Sequence, residues 1–242
     1  MPVGVIINAL SVVIGGILGT VAGHKLSPKF KADLTMIFGL CSMGMGISTI
    51  ANMENMPAVI FSMVIGTGIG LAIHLGDKIN MAAGGMQRFI GRFVKNTNTA
   101  LSEEEFMNTL VTIIVLFCAS GTGIYGSIVA GMSGDNSVLI SKSILDLFTA
   151  AIFACNLGLV VSLIAVPQFI IFVILFYGAV VIFPLTTPAM INDFKACGGF
   201  LIFATGFRMV KIKNFPIADM IPAMILVMPL SYIWTNYIMP LV

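Results

Sequence analysis

Lys142 and Asp146 stand four residues apart at the start of a long apolar run. On a helix this spacing puts an ammonium and a carboxylate on one face, where they can pair. A lone carboxylate in such a run would be expensive to keep charged. A Lys–Asp pair there can neutralise itself, titrate, or be opened by a cation. The competing reading is an interfacial pair whose polar ends snorkel to water. Thr149 follows Asp146 by three residues and Asn156 follows Thr149 by seven, which keeps the polar groups near one stripe.

A second polar cluster lies upstream, in Cys118-Ala-Ser120-Gly121-Thr122-Gly123-Ile-Tyr125-Gly126. Glycines on both sides of a threonine let a helix unwind in mid-membrane. Freed carbonyls and the Ser120 and Thr122 hydroxyls would then line a small polar cavity, as in many ion-holding transporters. Close packing through small residues is the alternative. Ser120, Gly121, Thr122, Gly123, Lys142, Asp146, Thr149 and Asn156 thus make the candidate binding set for a small cation or small polar solute.

Other polar points carry less. Asn8 and Ser11, three apart, can share one helix face, and Gly66-Thr67-Gly68-Ile69-Gly70 permits close backbone approach. His74 and Asp77 could handle a proton, although an interfacial histidine is more often structural. Pro184-Leu-Thr186-Thr187-Pro188 reads as a rigid helix stop. Cys41, Cys118, Cys155 and Cys197 lie in apolar stretches without metal-ligand spacing and read as packing residues. No Walker A, HExxH, CxxC or GxSxG sequence lies in a usable context. Gly66-x-Gly68-x-Gly70 and Gly15-Gly16-x-x-Gly19 superficially resemble phosphate loops but follow no strand. No enzymatic activity, cofactor or metal site is expected.

The elements that must position these residues follow from composition. Of 242 residues, 58% are hydrophobic and 9% charged, against about 25% charged in a soluble domain. A soluble enzyme, a nucleic-acid binder and a disordered chain are excluded. The net charge of +2 is too small to suggest a polyanionic partner. The first lysine, Lys25, follows the first apolar run, which argues against a cleaved signal peptide. The expectation is an all-α, multi-pass bundle in the bilayer, one integral membrane domain over 1–242.

Eight spans are expected, at 3–23, 34–51, 57–76, 107–131, 143–165, 167–187, 196–210 and 217–240. Lys25, Lys29 and Lys31 fall in the connection 24–33, Lys78, Arg88, Arg92 and Lys95 in 77–105, and Arg208, Lys211 and Lys213 at 211–216 and its approach. With eight crossings these segments share one side, which the positive-inside rule makes cytoplasmic, with both termini outside. Lys142 and Lys195 sit at the opposite face. The loop 77–105 also carries Glu103, Glu104 and Glu105, suited to a helix start with Ser102 as N-cap. Trp234, Tyr232 and Tyr237 fit an aromatic belt.

An internal repeat is suggested by Gly39-Leu-Cys-Ser-Met-Gly-Met-Gly46 with Pro57-Ala58, set against Gly199-Phe-Leu-Ile-Phe-Ala-Thr-Gly206 with Pro222-Ala223. Under the topology above this is an inverted repeat of spans 1–3 and 6–8 around a central hairpin, a plan common in secondary transporters.

Phe117-Cys-Ala-Ser-Gly-Thr-Gly-Ile124, Lys142-Ser-x-Leu-Asp146, Ile152-Phe-Ala-Cys155, Pro184-Leu-Thr-Thr-Pro188 and Pro222-Ala223 together resemble the YqgA-type family of bacterial inner-membrane proteins, the domain of unknown function 554. The resemblance runs over nearly the whole chain. It implies a protein of the bacterial inner (cytoplasmic) membrane, usually described in terms of transport, with no established substrate. The family's motif positions fall on Ser120, Gly121, Thr122, Gly123, Lys142, Asp146 and Asn156, and no catalytic role comes with them. The functional expectation is a secondary transporter or ion-coupled carrier. The alternative is a non-transporting scaffold or sensor that docks a cytoplasmic partner through 77–105; on deletion of 86–100 a carrier should keep its flux, whereas a docking protein should lose its partner. The limited volume of eight short spans favours a homodimer within the bilayer.

Overall fold

The computed structural model describes residues 1–22, 27–91 and 103–241. Lys25, Arg92, Lys95 and the expected Ser102 cap lie outside them. All regular structure among the described residues is helical: α1 (Val3–Ala22), α2 (Pro28–Ile50), α3 (Met56–Ala72), α4 (Leu75–Gly91), α5 (Glu103–Cys118), α6 (Gly121–Ser133), α7 (Ser137–Leu157), the single turn α8 (Val160–Leu163), α9 (Ala165–Ile182), α10 (Pro188–Met209) and α11 (Ile221–Ile233).

The helix ends have local causes. Gly134 (φ 74°) and Gly158 (φ 73°) follow α6 and α7 in backbone conformations that side chains rarely adopt. Thr187 caps α10 by accepting from the Met190 N–H, with Pro188 next in the first turn. The segment Pro184–Pro188 is therefore both a stop and a start. Between α7 and α9 the chain turns at Gly158, not at the expected Val166–Pro167 joint. Pro167 instead sits in the first turn of α9, where its missing N–H is not needed. The connection 77–105 holds α4 along its first part.

The chain divides into two compact units, residues 1–35 with 78–179 and residues 36–77 with 180–242. In the first, α1 runs along α7. A Cβ at Gly15 or Gly19 would overlap the carbonyl oxygen of Leu147 or Ala151. The Ser162 hydroxyl donates to the Val13 carbonyl at 3.0 Å, close to Gly16. Leu110, Ile113, Ile114 and Phe117 of α5 pack with Ala150, Ala154 and Leu157 of α7 and Ile164 to form a core.

In the second unit α2 meets α10 through glycines at both ends of the contact. A Cβ on Gly39 would press on the Gly206 carbonyl and one on Gly46 on the Gly199 carbonyl, and the reverse holds for Gly199 and Gly206. Along α3 and α11 the close pairs are Gly66 with Ala223 and Gly70 with Asp219. After α3 the chain turns, with His74 at φ 51° and the Gly76 N–H donating to Asp219 at 2.8 Å.

The distribution of polarity is that of a chain in lipid. Asn8, Gln168 and Asp193 are fully buried while Ile174, Val181 and Ile225 face outward. Among the described residues six stretches are long and apolar enough to cross a bilayer: Val3–Val21, Lys29–Ile50, Thr109–Ser133, Ser137–Leu157, Val160–Leu185 and Ile217–Leu241; α3 and α4 together make a seventh if they cross as one. This differs from the expected eight at two places. Helix α3 has only 17 residues. Helix α10 is long enough but carries Asn192, Asp193 and Lys195.

The glycine contacts give a paired prediction. Gly66→Ala drives a methyl into the Ala223 backbone, whereas Gly68 has open space. Thermal unfolding in detergent should show Gly66→Ala destabilised by about 1–3 kcal/mol, and Gly68→Ala neutral or stabilised by up to about 1 kcal/mol from helix propensity.

Candidate functional site

The apolar run around 143–165 belongs to a helix that begins earlier than expected, at Ser137. Asp146 therefore lies about 13 Å along α7 at 1.5 Å per residue, near its middle. Lys142 is 4% and Asp146 6% exposed. The pair is thus enclosed by protein and does not snorkel. The Lys142 Nζ donates to both carboxylate oxygens, at 2.8 and 2.7 Å, and lies 5.9 Å from the centre of the Phe117 ring.

Two amides complete the network. Asn8 on α1 donates through Nδ2 to Asp146 Oδ2 at 2.9 Å. Gln168 on α9 donates through Nε2 to Asn8 Oδ1 at 2.8 Å and to Asp146 Oδ2 at 3.3 Å. The same nitrogen is 3.4 Å from the Phe117 carbonyl. Three helices distant in sequence thus bring their polar groups to one carboxylate.

Opposite this cluster the fourth expected span is broken. Helix α5 ends at Cys118, its last backbone bond running from the Ala119 N–H to the Val115 carbonyl. Ser120 is extended (φ −70°, ψ 140°), and its hydroxyl accepts from the Gly123 N–H at 3.1 Å, capping α6. Gly123 is required because a Cβ there would overlap the Phe172 ring. The break leaves Phe117 among the last carbonyls of α5, where its oxygen faces the Gln168 amide.

Of the candidate set, Ser120, Gly121, Thr122, Gly123, Lys142, Asp146 and Thr149 are all buried in the first unit. Asn156 is exposed near the far end of α7 and does not join them. His74 and Asp77 approach to 3.6 Å but are three-quarters exposed. Gln168 escaped the sequence reading; an amide following Val166–Pro167 inside an apolar run was its only signal. Asn8 was legible as a polar point without its partner.

Asp193 also escaped. It lies before the expected seventh span, yet it is fully buried in the second unit. One oxygen accepts from the Glu54 and Asn55 N–H groups, both at 2.8 Å. The other accepts from Asn55 Nδ2 at 2.8 Å and Ser231 Oγ at 2.6 Å. Asn55 Nδ2 is also 3.1 Å from Thr235 Oγ1. No basic side chain among the described residues pairs with Asp193.

Residues 3–232 match the family described as "Protein of unknown function (DUF554)". The chain belongs to the DUF554 family. It is 45% identical over 237 residues to "Uncharacterized protein YqgA" of Escherichia coli (strain K12), covering 98% of this chain and 99% of that one. It is 23% identical over 223 residues to "Uncharacterized membrane protein YdfK" of Bacillus subtilis (strain 168), covering 92% and 93%. No solved structure matches. This DUF554 chain is a membrane protein, in keeping with its apolar helices and with the name of the Bacillus relative.

The pair makes a stability prediction. Lys142→Met leaves a buried carboxylate without its cation and should cost about 3–5 kcal/mol, whereas Lys142→Met with Asp146→Leu should recover most of that loss. Thermal unfolding of the two variants at low salt measures the difference.

Proposed function

We propose that this protein is a secondary transporter or ion-coupled carrier of a small cation or small polar solute, working at the Lys142–Asp146 pair. The observation that carries the reading is the enclosure of that pair in mid-helix beside a broken span. A charge pair in this position has no structural need that an apolar pair could not meet, and ionisable groups inside a bilayer mark transport paths. In this reading Asp146 supplies the charge, Lys142 is its displaceable partner, and Ser120, Gly121, Thr122 and Gly123 form the wall opposite, with Thr149 one turn further along α7.

The inverted-repeat reading finds support in sequence intervals. Asn8 and Gln168 are separated by 160 residues. The same interval relates Gly39 to Gly199 and Gly46 to Gly206, the four glycines packed reciprocally between α2 and α10. On this plan α3 and α10 also cross, giving eight spans. The polar groups of α10 are tolerable because Asp193 is fully buried. The basic connections then face the cytoplasm of a bacterial inner membrane with both termini outside. We assign the protein no enzymatic role, and a homodimer in the bilayer suits its small size.

Proteoliposome flux tests the reading. Asp146→Asn keeps the shape but loses the charge, and should lower the initial rate about tenfold or more, the loss of one charge-assisted interaction. Unchanged flux in Asp146→Asn would remove the site from the transport path.

A further inference from the structure

The side-chain oxygen of Gln168 is the one buried side-chain polar atom without a hydrogen-bond partner among the described residues. Its orientation is fixed by chemistry. The amide nitrogen faces three acceptors, Asn8 Oδ1, Asp146 Oδ2 and the Phe117 carbonyl. Turning the amide over would set oxygen against oxygen while Lys142 holds the carboxylate. Oε1 is therefore left as an acceptor with nothing to accept, in a residue that is fully buried. Native proteins leave few such groups, and those they leave call for an explanation.

The charge inventory supplies one. Around Lys142 Nζ stand the two Asp146 oxygens, and within hydrogen-bonding reach of them are the Asn8 amide, the Gln168 amide and, through Gln168, the Phe117 carbonyl. Asn8 and Gln168 face the carboxylate with their amide nitrogens; the oxygens of the cluster, Asp146 Oδ1 and Oδ2, Asn8 Oδ1, Gln168 Oε1 and the Phe117 carbonyl, are hard donors of the kind that bind alkali and alkaline-earth ions rather than soft metals. One carboxylate balances one positive charge. A divalent ion would leave an uncompensated charge in a low-dielectric site.

We propose that this pocket binds one monovalent alkali cation and that the Lys142 ammonium is its tethered competitor. When the cation takes the place of Nζ at Asp146, the Gln168 amide turns and its oxygen becomes a ligand. That motion also releases Asn8 Oδ1 from its donor. The orphaned oxygen is thus the unused half of a two-position amide. Lys142 and the bound cation exclude each other by like-charge repulsion, so loading of the site and withdrawal of the lysine are one event. This inference rests on the transport reading for its purpose, but binding is measured without flux.

The test is thermal unfolding of the full-length protein in detergent, in choline chloride with sodium, lithium or potassium chloride substituted at constant ionic strength. The wild type should show a saturable rise in Tm of about 5 °C with at least one alkali cation. Lys142→Met should reach the same rise at a cation concentration lower by about tenfold or more, because the competing charge is gone. Asp146→Asn and Gln168→Leu should lose the rise. No response in either wild type or Lys142→Met overturns the site. If Lys142→Met does not fold, the comparison of wild type with Gln168→Leu decides, and identical responses overturn the role of Gln168. Uptake of radioactive sodium into proteoliposomes keeps the two readings apart. Saturable stabilisation without any flux upholds the cation site and overturns transport. Flux of another solute that depends on Asp146, with no alkali response, does the reverse.

Discussion

A carboxylate in the middle of a helix, far from either end and closed off from solvent, must be compensated from within. At Asp146 the compensation comes from Lys142 one turn before it, from Asn8 on α1 and from Gln168 on α9. Each of these depends on elements being held in register. The glycines at 15 and 19 let α1 lie against the α7 backbone, which is what brings Asn8 within reach. Gly123 admits the Phe172 ring, holding α9 at the distance from which Gln168 can bridge. Small residues and polar residues in the first unit are therefore parts of one arrangement. The former set the spacing at which the latter can meet.

The second unit solves the same problem differently. Asp193 receives two backbone N–H groups, an amide and a hydroxyl, and no basic side chain among the described residues. The Glu54 and Asn55 donors are fixed by the turn before α3 and cannot leave without undoing it, and the hydroxyl is carried by Ser231 of α11. An ammonium on a flexible stem can leave, since its attachment is four carbons away from the backbone. Both carboxylates are buried, Asp193 fully and Asp146 at 6% exposure, yet among the described residues only Asp146 is held by a basic side chain. Asp193 is held by backbone and short side-chain donors, Asp146 by a network of long side chains that includes Lys142.

Much of this could be read from local sequence. The interval of four between Lys142 and Asp146 and the Ser-Gly-Thr-Gly cluster are short-range patterns; the first is a pair in the structure, while the break falls just before the glycines, at Ala119–Ser120, and Gly121, Thr122 and Gly123 form the first turn of α6. What stayed hidden was long-range. Gln168 meets Asn8 across 160 residues and Asp193 meets Asn55 across 138, and no local periodicity announces such meetings. The helix boundaries went astray for a related reason. The expected spans meet at Val166–Pro167 and the seventh begins at residue 196. The chain instead turns where Gly158 permits it, and α10 begins where Thr187 and Pro188 start it. In a protein that turns its polar groups inward, hydropathy marks what lipid sees and not where helices end.

The interruption between α5 and α6 has a mechanical side. A continuous helix is a stiff rod because each turn is tied to the next by backbone hydrogen bonds. Here the tie lapses after Ala119 and resumes with the bond from Ile124 to Ser120. The span is thus built as two shorter rods in place of one long one. The second is seated against Phe176 through Gly131, and the first ends where the Gln168 amide reaches the Phe117 carbonyl.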